Sequence, residues 1–157
     1  MDELKKHPRP VWGDLADFAV QLRIVTGDER LDNPPRYEEL PCQDLGDGFY
    51  KICCVPMFLY DLALGDVLKI GDGQLEGVAQ ESGQHTFRAY FGRAFMPFAR
   101  EVLIDELAMM PGVITEWFSD DLLGLSAEND AVANELSRWL ETAMSRGQLQ
   151  YETGRAH

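Results

Sequence analysis

The sequence has little cysteine, and the cysteines it has form no recognisable pattern. Its 157 residues include three, Cys42, Cys53 and Cys54, an odd number that leaves no framework of paired bridges. Adjacent cysteines point to opposite faces of a strand, whereas thiolates that share a zinc ion usually have two residues between them. We therefore expect buried thiols, no metal and no cofactor, in a reducing, cytoplasmic compartment.

Long apolar runs are also missing. The longest, from Ile52 to Ile70, is interrupted by Pro56, Gly65 and charged residues, so it is not expected to span a bilayer. The opening residues, MDELKKHPRP, carry charges with no apolar stretch after them, which is not the pattern of a secretory signal peptide. The sequence therefore predicts neither a membrane segment nor export.

Basic residues are scarce relative to acidic ones. Lysine and arginine number 14 against 27 aspartates and glutamates, which gives a formal net charge of −13. A field of this sign repels phosphate, so we expect no binding to nucleic acids or to anionic membranes. The same field would accelerate the encounter with a basic protein surface. Acidity that serves solubility alone is the alternative interpretation.

Known reaction motifs are absent. The glycines within residues 71–77 miss the dinucleotide-binding spacing by one position, and no Walker A, G-x-S-x-G, H-E-x-x-H or EF-hand pattern occurs. His85 is a candidate for acid–base chemistry, with Glu81 nearby in sequence or with one of the thiols as its partner. A polar histidine at the start of a strand is the alternative. We therefore predict that the protein is not an enzyme.

The N-terminal part of the chain begins with polar residues. Residues 1–17 resemble a polar arm. Apolar and polar residues alternate in 18–25, which predicts a strand, although Leu15, Phe18 and Leu22 also fit a helix. Residues 26–36 are predicted to form a loop, because the two prolines at its end cannot continue either element.

Two hairpins are predicted in the middle of the chain. Asp-Gly is the preferred pair for a tight turn with positive φ, and it occurs within Gly46-Asp47-Gly48 and again within Gly71-Asp72-Gly73. Between them lies an apolar connector, Pro56–Gly65, which is expected to pack across the open end of the sheet. Residues 18–82 are therefore predicted to be an antiparallel β subdomain.

The C-terminal part of the chain has a different periodicity. Short β-rich segments alternate with two helical patterns, the first between Phe95 and Met110 and the second after Ser126, which is predicted to be its N-cap. The order from Thr86 onward is β-α-β-β-α-β, the order of a ferredoxin-like unit. We therefore predict an α+β fold in which residues 83–157 form a ferredoxin-like subdomain, joined to the first in one compact domain.

An aromatic pair stands beside an acidic turn at residues 117–121. Aromatic anchors with neighbouring charge are typical of protein interfaces. The alternative is that the aromatics pack in the core and the aspartates only form the turn. The candidate partner-binding residues are Glu116, Trp117, Asp120 and Asp121, followed by Glu81, Glu128 and Asp130.

Several segments resemble a known family. They are Gly46–Ile52, Val55–Phe58, Ala63–Leu68 and Ser82–Arg88. Together they resemble the progression "GDGRYRL…VPFF…GDVV…SGHST-R" of the bacterial domain-of-unknown-function family numbered four-two-six-five. Gln84 stands where that family has a histidine, and His85 follows one place later.

The resemblance implies an α+β fold and no established catalytic residues. Small acidic proteins of this kind often occur beside toxin genes as immunity proteins. We therefore expect a non-enzymatic immunity protein that occludes the active site of a cognate bacterial toxin with a basic surface. The alternative is a small-molecule-binding regulatory module of ferredoxin-like fold, in which residues 56–64 of the connector line a pocket.

Overall fold

The protein is an α+β fold with two sheets. The computed structural model describes residues 2–92 and 97–155, which contain ten strands and two α-helices. The strands are β1 (Glu3–Lys6), β2 (Phe18–Ile24), β3 (Arg36–Gly46), β4 (Phe49–Ile52), β5 (Val67–Gly71), β6 (Gln74–Gln80), β7 (His85–Tyr90), β8 (Val113–Trp117), β9 (Leu122–Ala127) and β10 (Gln150–Thr153). The helices are α1 (Pro97–Met109) and α2 (Asp130–Ser145), and a 3-10 turn lies at Gly13–Leu15.

The first sheet has six strands and is mixed. Its order is β1-β3-β4-β5-β6, and β2 pairs antiparallel with the other edge of β3. Both predicted hairpin turns are present, because Asp47 (φ 56°) and Asp72 (φ 53°) adopt the left-handed conformation that such turns need. The strand predicted at 18–25 is confirmed as β2.

The N-terminal segment differs from the polar arm that the sequence predicts. Residues Glu3–Lys6 form β1, which pairs parallel with β3 in the register Glu3↔Arg36 to Lys6↔Glu39. His7, the next residue, is buried. The side chains of this segment are mostly charged, but its backbone pairs with β3 as a strand of the first sheet.

The second sheet is antiparallel, with the order β10-β7-β9-β8. One core cluster joins it to both helices. It includes Leu103 and Leu107 of α1, Leu136 and Leu140 of α2, and Phe87 and Leu125 of the sheet. Phe95, where the first helical pattern begins, lies outside the described residues.

The start of α2 differs from the prediction. Ser126 is a buried residue of β9 and does not cap the helix. The N-cap is Asn129, whose side-chain oxygen accepts a hydrogen bond from the Val132 backbone N–H at 2.9 Å. None of the helices in the described part of the chain has the length and apolarity needed to cross a membrane.

The connector Pro56–Gly65 lies close to β9 at a glycine. A Cβ atom on Gly124 would come within 2.6 Å of Met57 Cε and 2.9 Å of Val55 Cγ1. Both neighbours are buried in a small apolar cluster that also contains Leu64. A side chain at position 124 would therefore force Met57 and the preceding Val55 to shift.

Replacing Gly124 with valine is expected to reduce the free energy of unfolding by about 1–3 kcal/mol through overpacking. Urea denaturation followed by circular dichroism measures the change. Gly73→Ala is unsuitable as a control, because Gly73 has a positive φ, whereas Ala79→Val on exposed β6 is suitable and should change stability by less than about 0.5 kcal/mol. Equal effects of the two valines would contradict the close approach.

Candidate functional site

A cleft of about 420 Å³ opens at the end of the second sheet where β7 and α2 begin. The connector forms one wall, the residues before and at the start of β7 form another, and the end of β10 closes it. Its lining consists of Asp61, Leu62, Ala63, Asp66, Glu81, Gly83, Gln84, His85, Thr86, Asp130, Gly154 and Arg155. We call this set of residues the cleft.

Strand pairing brings His85 and Asp130 together in the cleft. His85 is paired with Ala127 at the end of β9, and α2 begins three residues later at Asp130. The His85 Nε2–H donates to Asp130 Oδ1 at 2.6 Å. The carboxylate is exposed, so it can accept a further hydrogen bond or cation from outside.

The cleft walls are fixed by hydrogen bonds. The buried Asp66 carboxylate accepts from the backbone N–H groups of Ala63 (3.0 Å) and Ser82 (2.8 Å). The Ser82 hydroxyl donates to the Leu64 carbonyl at 2.7 Å, and the Thr86 hydroxyl donates to the Leu62 carbonyl at 3.2 Å. These bonds attach the connector to the start of β7, so the cleft is preformed.

The electrostatic character of the cleft is acidic. Four of its lining residues carry carboxyl groups, and Arg155 and His85 are its basic members. Asp66 is occupied by backbone donors, whereas Glu81 and Asp130 are exposed. The cleft can therefore bind a cation and accept hydrogen bonds.

A second cluster of ionisable groups is fully buried. His7 Nδ1 lies 2.5 Å from Glu116 Oε2, and His7 Nε2 lies 2.6 Å from Glu38 Oε2. All three side chains have 0% exposure. Both ring nitrogens face carboxylate oxygens, so both carry protons and the ring is an imidazolium.

The pKa of His7 reflects two opposing effects. Burial lowers it, because an apolar surrounding disfavours the charged ring. The hydrogen bonds to Glu116 and Glu38, with the attraction of their charges, outweigh burial and raise the pKa from 6.5 to about 9. The ring is therefore protonated at neutral pH.

Backbone groups satisfy the remaining carboxylate oxygens. Glu38 accepts from the N–H groups of Met57 (2.8 Å), Phe58 (2.8 Å) and Leu59 (3.1 Å). The connector is thus held by a side chain of β3.

Glu116, on β8, also accepts hydrogen bonds from backbone N–H groups. Its Oε1 accepts from the N–H groups of Val11 and Val55, each at 3.0 Å. The buried cluster therefore links the N-terminal segment, the first sheet, the connector and the second sheet. Because its side chains have no solvent access, the cluster connects the two sheets through buried hydrogen bonds and is not a reaction site.

The predicted partner-binding residue Glu116 needs correction, since it lies in this buried cluster and is not on the surface. Trp117 is half-buried, and its ring contacts Phe91 and the Arg100 guanidinium. Asp120 is exposed, and Asp121 accepts from Arg100 at 3.4 Å.

The other predicted residues lie at the opposite end of the sheet. Trp117 is paired with Leu123 at the start of β9, whereas Glu128 and Asp130 follow its end. The six residues of β9 separate the two groups by about 17 Å. Glu81 and Asp130 both line the cleft, and Glu128 is exposed beside Gly112. The candidate residues therefore form two separate groups.

The cysteines lie away from the cleft lining. Cys42 and Cys54 are buried in the core of the first sheet, and the Cys53 thiol donates to the Lys51 carbonyl at 3.4 Å. Burial raises the pKa of Cys42 to about 12, which keeps the thiol protonated. Over residues 2–92 and 97–155, no group of three or more His, Cys, Asp or Glu side chains is placed to hold a metal ion.

Comparison with known proteins gives a fold and a family. The fold is similar to the crystal structure of a hypothetical protein from Neisseria gonorrhoeae, with a TM-score of 0.65 and 20% sequence identity over 88% of this chain and 96% of that chain. No curated protein matches the sequence. The domain of unknown function DUF4265 matches residues 38–151, most of the chain. As the sequence motifs predicted, the chain belongs to the DUF4265 family.

Proposed function

We propose that the protein is a non-enzymatic binding protein whose acidic cleft receives a basic segment of a partner protein. The observation that carries this proposal is the convergence of Glu81 and Asp130, from separate parts of the chain, on one preformed cleft that also contains Asp61. A lysine or arginine side chain entering there would meet the exposed carboxylates of Glu81 and Asp130, the second of which is oriented by its hydrogen bond with His85.

The charge of the whole chain supports the same partner. A net charge of −13 attracts a basic surface over distances of about a Debye length, which increases the association rate. The fixed walls reduce the entropy lost on binding, because the connector is already held by Asp66 and Ser82.

The specific form of this proposal is an immunity protein. A toxin that acts on a phosphate-bearing substrate has a basic active-site groove, and an acidic protein seated on that groove would exclude the substrate. Within this proposal, the cleft binds a basic side chain at the edge of the toxin's active-site groove. The acidic surface around the cleft then covers the remainder of that toxin groove.

We also infer that residues 83–157 form a ferredoxin-like unit. The strand order β10-β7-β9-β8, the antiparallel pairings and the shared core of α1 and α2 support this assignment.

Charge reversal in the cleft tests the partner proposal. Within this proposal a toxin is encoded beside the gene of this protein; the two proteins are co-expressed, and growth and co-purification are measured. We expect Glu81→Lys/Asp130→Lys to slow association at least about tenfold and to abolish protection, since each change places a cation against a cation. Glu29→Lys/Glu135→Lys makes the same change in net charge at exposed positions outside the cleft and should still protect.

Two results would contradict the proposal. One is that the unaltered protein neither restores growth nor co-purifies with the toxin. The other is equal loss of protection in both double variants, because general charge would then explain binding without the cleft.

A small polar ligand is the second candidate occupant. The cleft volume of about 420 Å³ lies within the range of ligand sites, roughly 300–1,000 Å³, and the connector contributes Asp61, Leu62 and Ala63 to its wall. A thermal-shift screen of a metabolite library tests this function, because a bound ligand raises Tm by mass action. A hit should disappear in Glu81→Gln/His85→Gln, and a flat response would count against the function.

A further inference from the structure

The two helices form an apolar groove on their outer side, apart from the cleft. The groove has a volume of about 540 Å³ and is lined by Val102, Asp105, Glu106, Met109, Met110 and Trp139. Below, "the groove" refers to these six residues. None of them is a cleft residue, so the two surfaces can be altered separately.

The apolar part of the groove is exposed although the helices already have a buried face. On α1, Leu103 and Leu107 pack in the core, whereas Val102 is 46% and Met109 is 82% exposed. A single exposed apolar side chain is ordinary, but here side chains from two helices converge on one concavity. Methionine adapts its shape to a partner, and tryptophan is enriched at the centres of interfaces.

Acidic groups border the groove. Glu106 Oε2 accepts from the Trp139 indole N–H at 3.0 Å, which orients the ring across the two helices, and Asp105 lies on the same wall. The lining of the groove contains these two carboxylates and no lysine or arginine. Its border is therefore negative.

We infer that the groove docks an amphipathic basic helix of a partner protein, with an apolar side chain in the groove and lysines or arginines against its acidic border. Helix-in-groove recognition uses this combination of an apolar stripe and flanking charge. A second copy of this chain fits less well, because two molecules of net charge −13 repel each other. The inference goes beyond the proposed function, since it concerns a different surface.

A synthetic helix tests the inference. The probe is a peptide of about 15 residues with leucines at i, i+3 and i+7 and lysines on both flanks, and the control is the same peptide with glutamate in place of lysine. Binding is followed by the NMR signal of the Trp139 indole N–H. The lysine peptide should shift this signal and bind more weakly at high salt, and the glutamate peptide should bind at least about tenfold more weakly.

Substitutions in the protein identify the surface that binds the peptide. Met109→Lys should raise Kd for the lysine peptide about tenfold or more, because it places a cation in the apolar part of the groove, where it also repels the lysines of the peptide. Val25→Lys, the same kind of change at another exposed apolar residue, should leave Kd unchanged. Glu81→Lys/Asp130→Lys should retain peptide binding, so failure of the cleft proposal would not remove this one.

Three results would overturn the inference. The first is equal binding of the lysine and glutamate peptides. The second is an unchanged Kd in Met109→Lys. The third is sedimentation of the protein as a dimer that Met109→Glu dissociates, which would assign the groove to a second copy of the chain.

Discussion

Replacing Glu38 with leucine is expected to lower the free energy of unfolding by about 3–5 kcal/mol. The carboxylate accepts from the backbone N–H groups of Met57, Phe58 and Leu59 and from His7, all in the interior. Leucine fills most of the volume but accepts no hydrogen bond. Three buried donors then lose their partner, and the imidazolium loses one of its two.

Urea denaturation of Glu38→Leu measures this loss, with Glu39→Leu as the matched control. Glu39 is the next residue of β3 and points to the opposite face, so its replacement should change stability by less than about 0.5 kcal/mol. If Glu38→Leu does not fold, Glu38→Gln keeps one acceptor oxygen and should lose about 1–3 kcal/mol. Similar stabilities of Glu38→Leu and Glu39→Leu would show that the cluster does not hold the sheets together.

Elements with a strong local signal could be predicted from the sequence. The two Asp-Gly turns each fix a backbone conformation within a few residues, and both hairpins form where they predict. The buried stripe of α2 also follows from its own spacing, because Leu136, Leu140 and Ala143 lie on one face.

The buried cluster could not be predicted in the same way, because its members are distant in sequence. His7 lies 31 residues from Glu38 and 109 from Glu116, and its segment has the composition of an exposed arm. A partial signal exists in β3. Alternation places Glu38 on the same face as Leu40 and Cys42, both fully buried, so a glutamate on an apolar face indicates a buried acceptor.

The candidate site could likewise be predicted from the sequence only in part. Acidic residues with exposed side chains are evident from the sequence, and two of those predicted, Glu81 and Asp130, line the cleft. Their position in one cleft depends on the pairing of β7 with β9, on the hydrogen bonds that Asp66 accepts and on the one that the Ser82 hydroxyl donates, which composition does not reveal. Glu116 was misassigned because charge alone does not distinguish a surface carboxylate from one that binds buried backbone groups.

Stability is expected to fall as the pH rises from about 6.5 to about 9, because over this interval the unfolded chain releases the His7 proton that the folded protein still holds. The pKa of His7 is raised from 6.5 to about 9 by its two carboxylates, despite the opposing effect of burial. A group with a raised folded pKa stabilises fully below its unfolded value, and the contribution disappears as the pH passes the folded value. The shift corresponds to about 3 kcal/mol.

Other groups facing the cluster act outside this interval. The Cys54 thiol lies near both carboxylates, and burial raises its pKa well above 9.0. Unfolded thiols ionise only around pH 9, so Cys54 and Cys42 lower stability further in more alkaline solution. The decline between pH 6.5 and 9 therefore belongs mainly to His7.

Urea denaturation across this pH range, with NMR titration of the His7 ring, tests the assignment. His7→Gln should be less stable at pH 6.5 and should show a flatter profile, because glutamine has no proton to lose in this interval. His85→Gln removes the histidine of the cleft and should keep the decline, since the buried cluster is intact. A flat profile for the unaltered protein, or the same slope in His7→Gln, would mean that the imidazolium does not stabilise the junction between the sheets.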